Sequence, residues 1–289
     1  PMTFIFPLMM VGSMVMMFQP GGQDVDEIRR SYHRHLDALT DGVRRARNTQ
    51  REDTERRHPH PQALWTRAVE GVDGQDVEPG VVRLGTAVQA PDDPLDIPVD
   101  VPPEDLEPVC AMSLRDLATR HATLDAPVAV DLREFPVVAV TGPGASDQVR
   151  AMQGALVLQD PGVVGIDGPH DRWLPHDGAL RISFRYSAEV ESPAPQAAAP
   201  ARCTVVADPD DAAEETARTR GLLLHSDGEV LSAWTVDGWR PFATADRLSD
   251  VELAALCRAR CTRRSETSLL DLPGGDLRAP IGRAGQSPV

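Results

Sequence analysis

"VVAVTGPGASDQVRAMQGALV", Val137 to Val157, runs from an apolar strand through a glycine turn into a helical segment. That is the layout of a phosphate-binding P-loop, whose pattern G-x-x-x-x-G-K-[ST] gives each fixed position a task. The glycines let backbone N–H groups curl around phosphates, the lysine reaches the β/γ-phosphates, and the hydroxyl holds Mg²⁺. Counted from Gly142, the second glycine, the lysine and the hydroxyl should fall at 147, 148 and 149, where the chain has Asp147, Gln148 and Val149. No shift of register helps, because the chain contains no lysine. A helix N-terminus still attracts anions. Ser146 or Asp147, however, is placed to cap this helix with its own oxygen and keep a phosphate out. Gly142, Gly144, Ser146, Asp147 and Gln148 therefore form a self-plugged loop. They fit either a P-loop that has lost its chemistry or an ordinary strand-to-helix junction.

A chain of 289 residues holds one or two domains. Its net charge of -15 argues against a grip on nucleic acid, which needs a basic face. Four cysteines are too few and too scattered for a secreted disulfide framework, and a reducing compartment fits them better. Cys110 and Cys203 lie in or beside apolar stretches and read as buried thiols. Cys257 and Cys261 share a helical face at i, i+4, with no second ligand pair nearby, so they read as core rather than metal ligands.

"MTFIFPLMMVGSMVMMF", Met2 to Phe18, carries no charge. As a helix it would span about 25 Å, slightly short of a bilayer core of roughly 30 Å. It lacks the basic n-region and cleavage site of a signal peptide, and it is expected to be the remaining part of a transmembrane helix over residues 1–19. Residues 20–67 are expected to form a cytoplasmic helical stalk. Val25, Ile28, Tyr32, Leu36, Leu39, Val43 and Ala46 recur in threes and fours, a narrow stripe suited to pairing with another helix. Nine arginines between Arg29 and Arg57 place this side in the cytoplasm. His58 and His60, set among prolines with no third ligand near, read as loop residues.

Residues 68–272 read as an α/β domain and 273–289 as a linker. "GVVRLGTAV" is a strand, and a helix is expected from Asp105 to His121 with Leu106, Val109, Met112 or Ser113, Leu117 and Ala118 on one face. Two strands lead into the glycine turn. "CTVVAD" is a later strand ending at Asp208, the place of a metal-binding Walker-B aspartate, though Pro209 rather than Glu follows it. A hairpin turning at Ser226-Asp227-Gly228 and a capped helix from Ser249 complete the domain.

Taken together, "FPLMMVGSMVMMF", "RRSYHRHLDALTDGVR", "ERRHPHPQALW", "VVRLGT", "EDLEPVCAMSLRDLATRHATLDAPVAVDLREF", "RWLPH" and "TSLLDL" resemble the N-terminal portion of the EccC-type membrane ATPases. These are the FtsK/SpoIIIE-family motors of mycobacterial type VII (ESX) secretion. The resemblance runs over most of the chain and is most specific from Leu106 to Phe135. It implies two membrane helices, a stalk, and a stalk-proximal domain with a degenerate P-loop ATPase fold. Three ATPase domains would follow, and ATP and Mg²⁺ would be bound there, with no cofactor in this portion. The chain is expected to start within the second membrane helix and to stop on the approach to the first ATPase domain. The resemblance further implies an inner-membrane complex with EccB, EccD with its ubiquitin-like domains, and EccE. The chain departs from the family pattern by looking shortened between Val69 and Val81 and between Gln159 and Asp171.

The leading functional expectation is a non-catalytic module that anchors a cytoplasmic motor at a secretion channel, with Ile28, Tyr32, Leu36, Leu39 and Val43 as helix-pairing contacts. One rival is a domain that still binds nucleotide, with Arg150 replacing the lysine and Asp208 on the metal. Arg150, two positions past the lysine slot, should point round the helix away from the loop. The other rival is an FtsK-type DNA pump, which the net negative charge opposes.

Overall fold

The computed structural model describes residues 25–70, 77–95, 108–160, 162–170, 173–174, 178–186, 201–270, 283–284 and 287–288. The apolar segment Met2 to Phe18 lies outside them. Among the described residues no helix is long and apolar enough to cross a membrane. The chain divides into two compact units, Pro1–Thr54 with Val88–Ala126, and Glu55–Ala87 with Pro127–Val289.

The first unit holds most of helix α1 (Val25–Arg57) and, beyond the β1 strand (Val81–Gln89), helix α3 (Pro108–Arg120). The α1 stripe is taken up in part by the chain itself. Val43 is buried, Tyr32, Leu36, Leu39 and Ala46 are half-buried, and the side chain of Ile28 lies outside the described set. Burial beside Cys110 pushes the Tyr32 hydroxyl up to about 12. The guanidinium of Arg47, itself buried, donates to the carbonyls of Asp93 (3.0 Å) and His121 (3.4 Å). The α3 face differs from the expected one: Cys110 and Leu117 are buried, whereas Val109 and Met112 are exposed. Cys110 and Leu117 are seven apart, two helical turns on one line, and burial is deepest along that line, with Leu114 between them half-buried.

The second unit is built on a mixed sheet. After helix α2 (Pro61–Glu70) and β1 come β2 (Leu124–Asp131), β3 (Val137–Thr141), helix α4 (Ala145–Val157), β4 (Val164–Asp167), β5 (Leu180–Tyr186) and β6 (Cys203–Ala207). Helix α5 (Asp211–Arg220), β7 (Leu222–Ser226), β8 (Val230–Thr235), β9 (Gly238–Ala245) and helix α6 (Asp250–Leu270) follow. The nine strands lie in the order β2-β1-β9-β8-β7-β3-β6-β5-β4. From β7 to β4 neighbours are parallel, and β7, β8, β9 and β1 pair antiparallel. The short strands β10 (Arg283–Ala284) and β11 (Ser287–Pro288) pair separately.

The β3 strand carries small and β-branched apolar residues on both faces, as a strand buried on both sides requires. Val138 and Val140 enter the main core with Val149, Met152 and Leu156 of α4, Leu64 of α2, and Leu253 and Leu256 of α6. Ala139 faces the other way, onto Ala217 of α5 and Leu223 of β7. The two crossovers run in opposite directions from the middle of the sheet: β3 passes through α4 to β4 at one edge, and β6 passes through α5 to β7 on the far side of β3. The carboxyl ends of β3 and β6 therefore border a topological switch point, the place where open α/β sheets form ligand sites. Gly154 lets α4 sit close to its neighbours: a Cβ there would come within 2.8 Å of Leu248 and 3.2 Å of Leu64.

Arg83 of β1 ties the corner between α1 and α2 to the sheet. Its buried guanidinium meets the buried carboxylate of Asp246 at 2.8 Å and donates to the carbonyl of His58 (3.1 Å) and the hydroxyl of Thr86 (2.7 Å). His58 and His60 are loop residues, as expected. The Ser249 cap of α6 also forms: Glu252 accepts from the Ser249 amide at 2.8 Å and from its hydroxyl at 2.6 Å.

Candidate functional site

The glycine turn sits at the carboxyl end of β3, where the expected strand–turn–helix forms. Gly142 has φ +96°, a conformation glycine adopts without strain. The helix then begins at Ala145 with Gly144 as its N-cap and no side-chain cap, which corrects the expectation that Ser146 or Asp147 would cap it. Both residues lie inside the first turn, too far along for their oxygens to reach back as a cap does.

What closes the loop is another part of the chain. The Gly144 amide donates to the Ser226 carbonyl at 3.0 Å. The β7–β8 turn lies directly on the glycines. A Cβ at Gly142 would fall 2.6 Å from the Ser226 carbonyl and from the His225 ring, and one at Gly144 would fall 2.4 Å from the Ser226 hydroxyl and 2.6 Å from the Gly228 amide. Within the turn, the Asp227 carboxylate accepts from the amides of Glu229 (2.8 Å) and Val230 (2.7 Å). Those bonds hold its carboxyl below the ordinary carboxylate range. Two further amides of the turn are used locally, Ala145 to the Gly142 carbonyl at 2.9 Å and Gln148 to that of Gly144 at 3.0 Å.

Gln148, in the lysine slot, points inward. Its side chain is fully buried and donates to the Leu84 carbonyl of β1 at 2.8 Å, while its Oε1 has no partner. Asp147 pairs with Arg150 at 2.9 Å and lies 4.0 Å from Arg247. Arg150 also approaches Asp250 at 3.9 Å, and its guanidinium lies 5.5 Å from the centre of the Tyr186 ring. The residue suggested as a lysine substitute is thus engaged along the side of α4. Beside the loop is an open cleft of about 380 Å³ lined by Pro143, Gly144, Asp147, Asp227, Gly228, Glu229 and Arg247. Three carboxylates against one arginine repel a polyphosphate rather than hold it.

Asp208 lies at the end of β6, next to β3, so the fold does place it near the carboxyl edge that carries the glycine turn. It is exposed, has φ +50°, and bonds through its amide to the Val140 carbonyl at 2.9 Å. Cys110, Cys203 and Cys257 are buried thiols, and burial pushes Cys203 and Cys257 up to about 12. Among the described residues no three His, Cys, Asp or Glu side chains group as a metal site.

Sequence reasoning did not identify Thr141, His225 and Ser226 as the groups that close the loop. The Thr141 hydroxyl lies 3.1 Å from His225 Nδ1. The register that pairs Thr141 with His225 is a long-range feature that only the sheet order reveals.

Fold and loop together define an α/β domain with a glycine turn at its switch point, closed from within. Comparison with known proteins adds a similarity. The chain is 29% identical over 224 residues to the ESX secretion system protein EccC of Thermomonospora curvata, an alignment covering 65% of this chain and 17% of that protein. It is 28% identical over 213 residues to the ESX-5 secretion system protein EccC5 of Mycobacterium tuberculosis, covering 61% of this chain and 15% of the relative. The corresponding protein of Mycobacterium marinum matches at 28% over 224 residues, 64% and 15%. The resemblance to EccC-type proteins of type VII secretion read from the sequence is thereby borne out, over a stretch about a sixth as long as those relatives. No protein-family model matches the chain.

Proposed function

We propose that this chain is the non-catalytic anchoring and docking portion of a motor subunit in a type VII (ESX) secretion complex. The similarity to EccC proteins supports the secretion role. The observation that carries the non-catalytic reading is the closed loop: the Gly144 amide is spent on the Ser226 carbonyl and the lysine slot is a glutamine turned into the core. In this reading the apolar segment Met2 to Phe18 attaches the subunit to the inner membrane and the α1 stripe contributes to helix pairing. The partners are the other membrane components of the complex, EccB, EccD and EccE. ATP and Mg²⁺ act in separate ATPase domains of the same motor, and this portion binds no cofactor.

The position of Asp208 beside β3 favours a second reading, a nucleotide-sensing domain whose β7–β8 turn must lift before a phosphate can enter. Secretion in the native host separates the two. Asp208→Asn, which keeps the left-handed backbone that asparagine tolerates, should leave ESX secretion unchanged under the docking reading. Loss of secretion with the variant present at normal abundance would favour the sensor.

A further inference from the structure

The β8–β9 hairpin carries an apolar face turned away from the core. Along β8, Leu231 is fully buried while Val230 and Trp234 on the alternate positions are 41% and 37% exposed. Trp239 of β9, directly opposite Trp234, is 42% exposed, and Val236 at the hairpin tip is wholly exposed. The two indoles meet edge to face at 5.3 Å, and the His225 ring extends the row at 5.5 Å from Trp239. This shelf lies on the α5 side of the sheet, where the Arg218 guanidinium stands 5.0 Å over the Trp234 ring. Two tryptophans side by side on an open strand pair are costly to leave in water, and tryptophan is enriched at protein interfaces.

The surrounding charge says what kind of partner fits. Beside the shelf Arg218 is already paired with Glu214 (2.5 Å) and Glu215 (3.6 Å), and toward the hairpin tip Arg240, opposite Ala233 on the other face, is paired with Asp237. Glu229 and Asp227 add further carboxylates at the start of the hairpin. A second copy of this chain would bring its own charge of -15 against this one, and an anionic lipid surface would be repelled likewise. We infer that the Trp234–Trp239 shelf docks a basic, amphipathic segment of another protein, whose apolar side chains cover the indoles while its arginines or lysines meet Glu214, Glu215 and Asp237. The inference deepens the docking role proposed above and rests on it.

The test is fluorescence anisotropy of a labelled 18-residue amphipathic helix with a leucine stripe and arginines elsewhere, titrated with the 289-residue chain. A leucine/glutamate version of the same helix serves as control. Trp239→Ala leaves the net charge unchanged, so it distinguishes docking from bulk attraction. Binding of the arginine helix weakened at least tenfold by Trp239→Ala, and also by Glu214→Gln with Glu215→Gln, is the expected result. A Trp239→Ala variant that keeps full affinity overturns the proposal, as does equal binding of the glutamate helix. So does protein-concentration-dependent dimerisation, or binding to phosphatidylglycerol vesicles, that Trp239→Ala abolishes while the arginine helix stays unbound. Mg·ATP titrated into Trp239→Ala and wild type keeps this question apart from the closed loop, because nucleotide binding in either would sink the non-catalytic reading and leave the shelf standing.

Discussion

The Gly144 amide and the Ser226 carbonyl, 82 residues apart in sequence, meet at 3.0 Å across the glycine turn. In a working P-loop that amide would face a phosphate oxygen. Here a backbone oxygen from the next hairpin takes the place, and the hairpin turn fills the space above it.

The fit makes the two glycines unequal to a third nearby. Gly144→Ala drives a Cβ against the Ser226 hydroxyl and the Gly228 amide, with backbone on one side that cannot give way. Overpacking of this kind costs about 1–3 kcal/mol. Gly228, at φ +100° with open space around it, suffers only from conformation. Gly228→Ala should cost about 1–2 kcal/mol, and Gly228→Asn less, because asparagine tolerates the left-handed region. Urea unfolding of the three variants gives the ranking directly, and a Gly144→Ala as stable as wild type would mean that the turn does not press on the loop.

The pair Arg83–Asp246 is buried, with side chains 5% and 4% exposed. Asp246→Asn leaves the guanidinium without its counter-charge and should destabilise the domain by about 3–5 kcal/mol. Arg83→Met with Asp246→Leu removes both charges and should recover much of that loss, although the His58 carbonyl then loses its donor. A double-mutant cycle by urea denaturation checks it; additive effects would show that the two side chains do not act as a pair.

Acid stability follows from two carboxylates. The Arg133 side chain, bonded at 2.7–3.0 Å, holds Asp131 below its ordinary 3.8, and the Ser249 hydroxyl and amide hold Glu252 below 4.5. A depressed folded value means the folded state binds fewer protons, so this stability is present above those ordinary values and is lost as pH falls through the folded ones. Asp246 works in the opposite sense. Burial raises its pKa against the pull of Arg83, so its contribution is full below 3.8 and fades as pH rises through the raised value. Asp131→Asn should therefore flatten the decline in melting temperature below about pH 4. An unchanged acid limb would show that the Arg133 contact does not persist in solution.

The local parts of this structure were legible. The apolar run, glycine turn and helical period of residues 137–157 depend on neighbours, and so do the Ser226–Gly228 turn and the strand ending at Asp208; all form where expected. What closes the loop was not legible, because the Ser226 carbonyl arrives through the pairing of β3 with β7, which no local pattern encodes. The inward turn of Gln148 did leave a signal. It shares a helical face with Ala145, Val149, Met152 and Leu156, all buried, so a side chain at that position faces the core rather than the loop. The cap was misread for a related reason: Ser146 and Asp147 are good capping types, but the helix already starts at Ala145, so both lie inside its first turn rather than at the cap position.

The most direct test of the closed loop is calorimetric titration of Mg·ATP into the 289-residue chain and into Gln148→Lys, which restores the missing lysine. No heat up to millimolar nucleotide in either protein is the expected result, with Gln148→Lys also melting lower because its amine must enter a buried site. Micromolar binding by the wild type, lost in Asp208→Asn, would contradict the account and make this domain a nucleotide site.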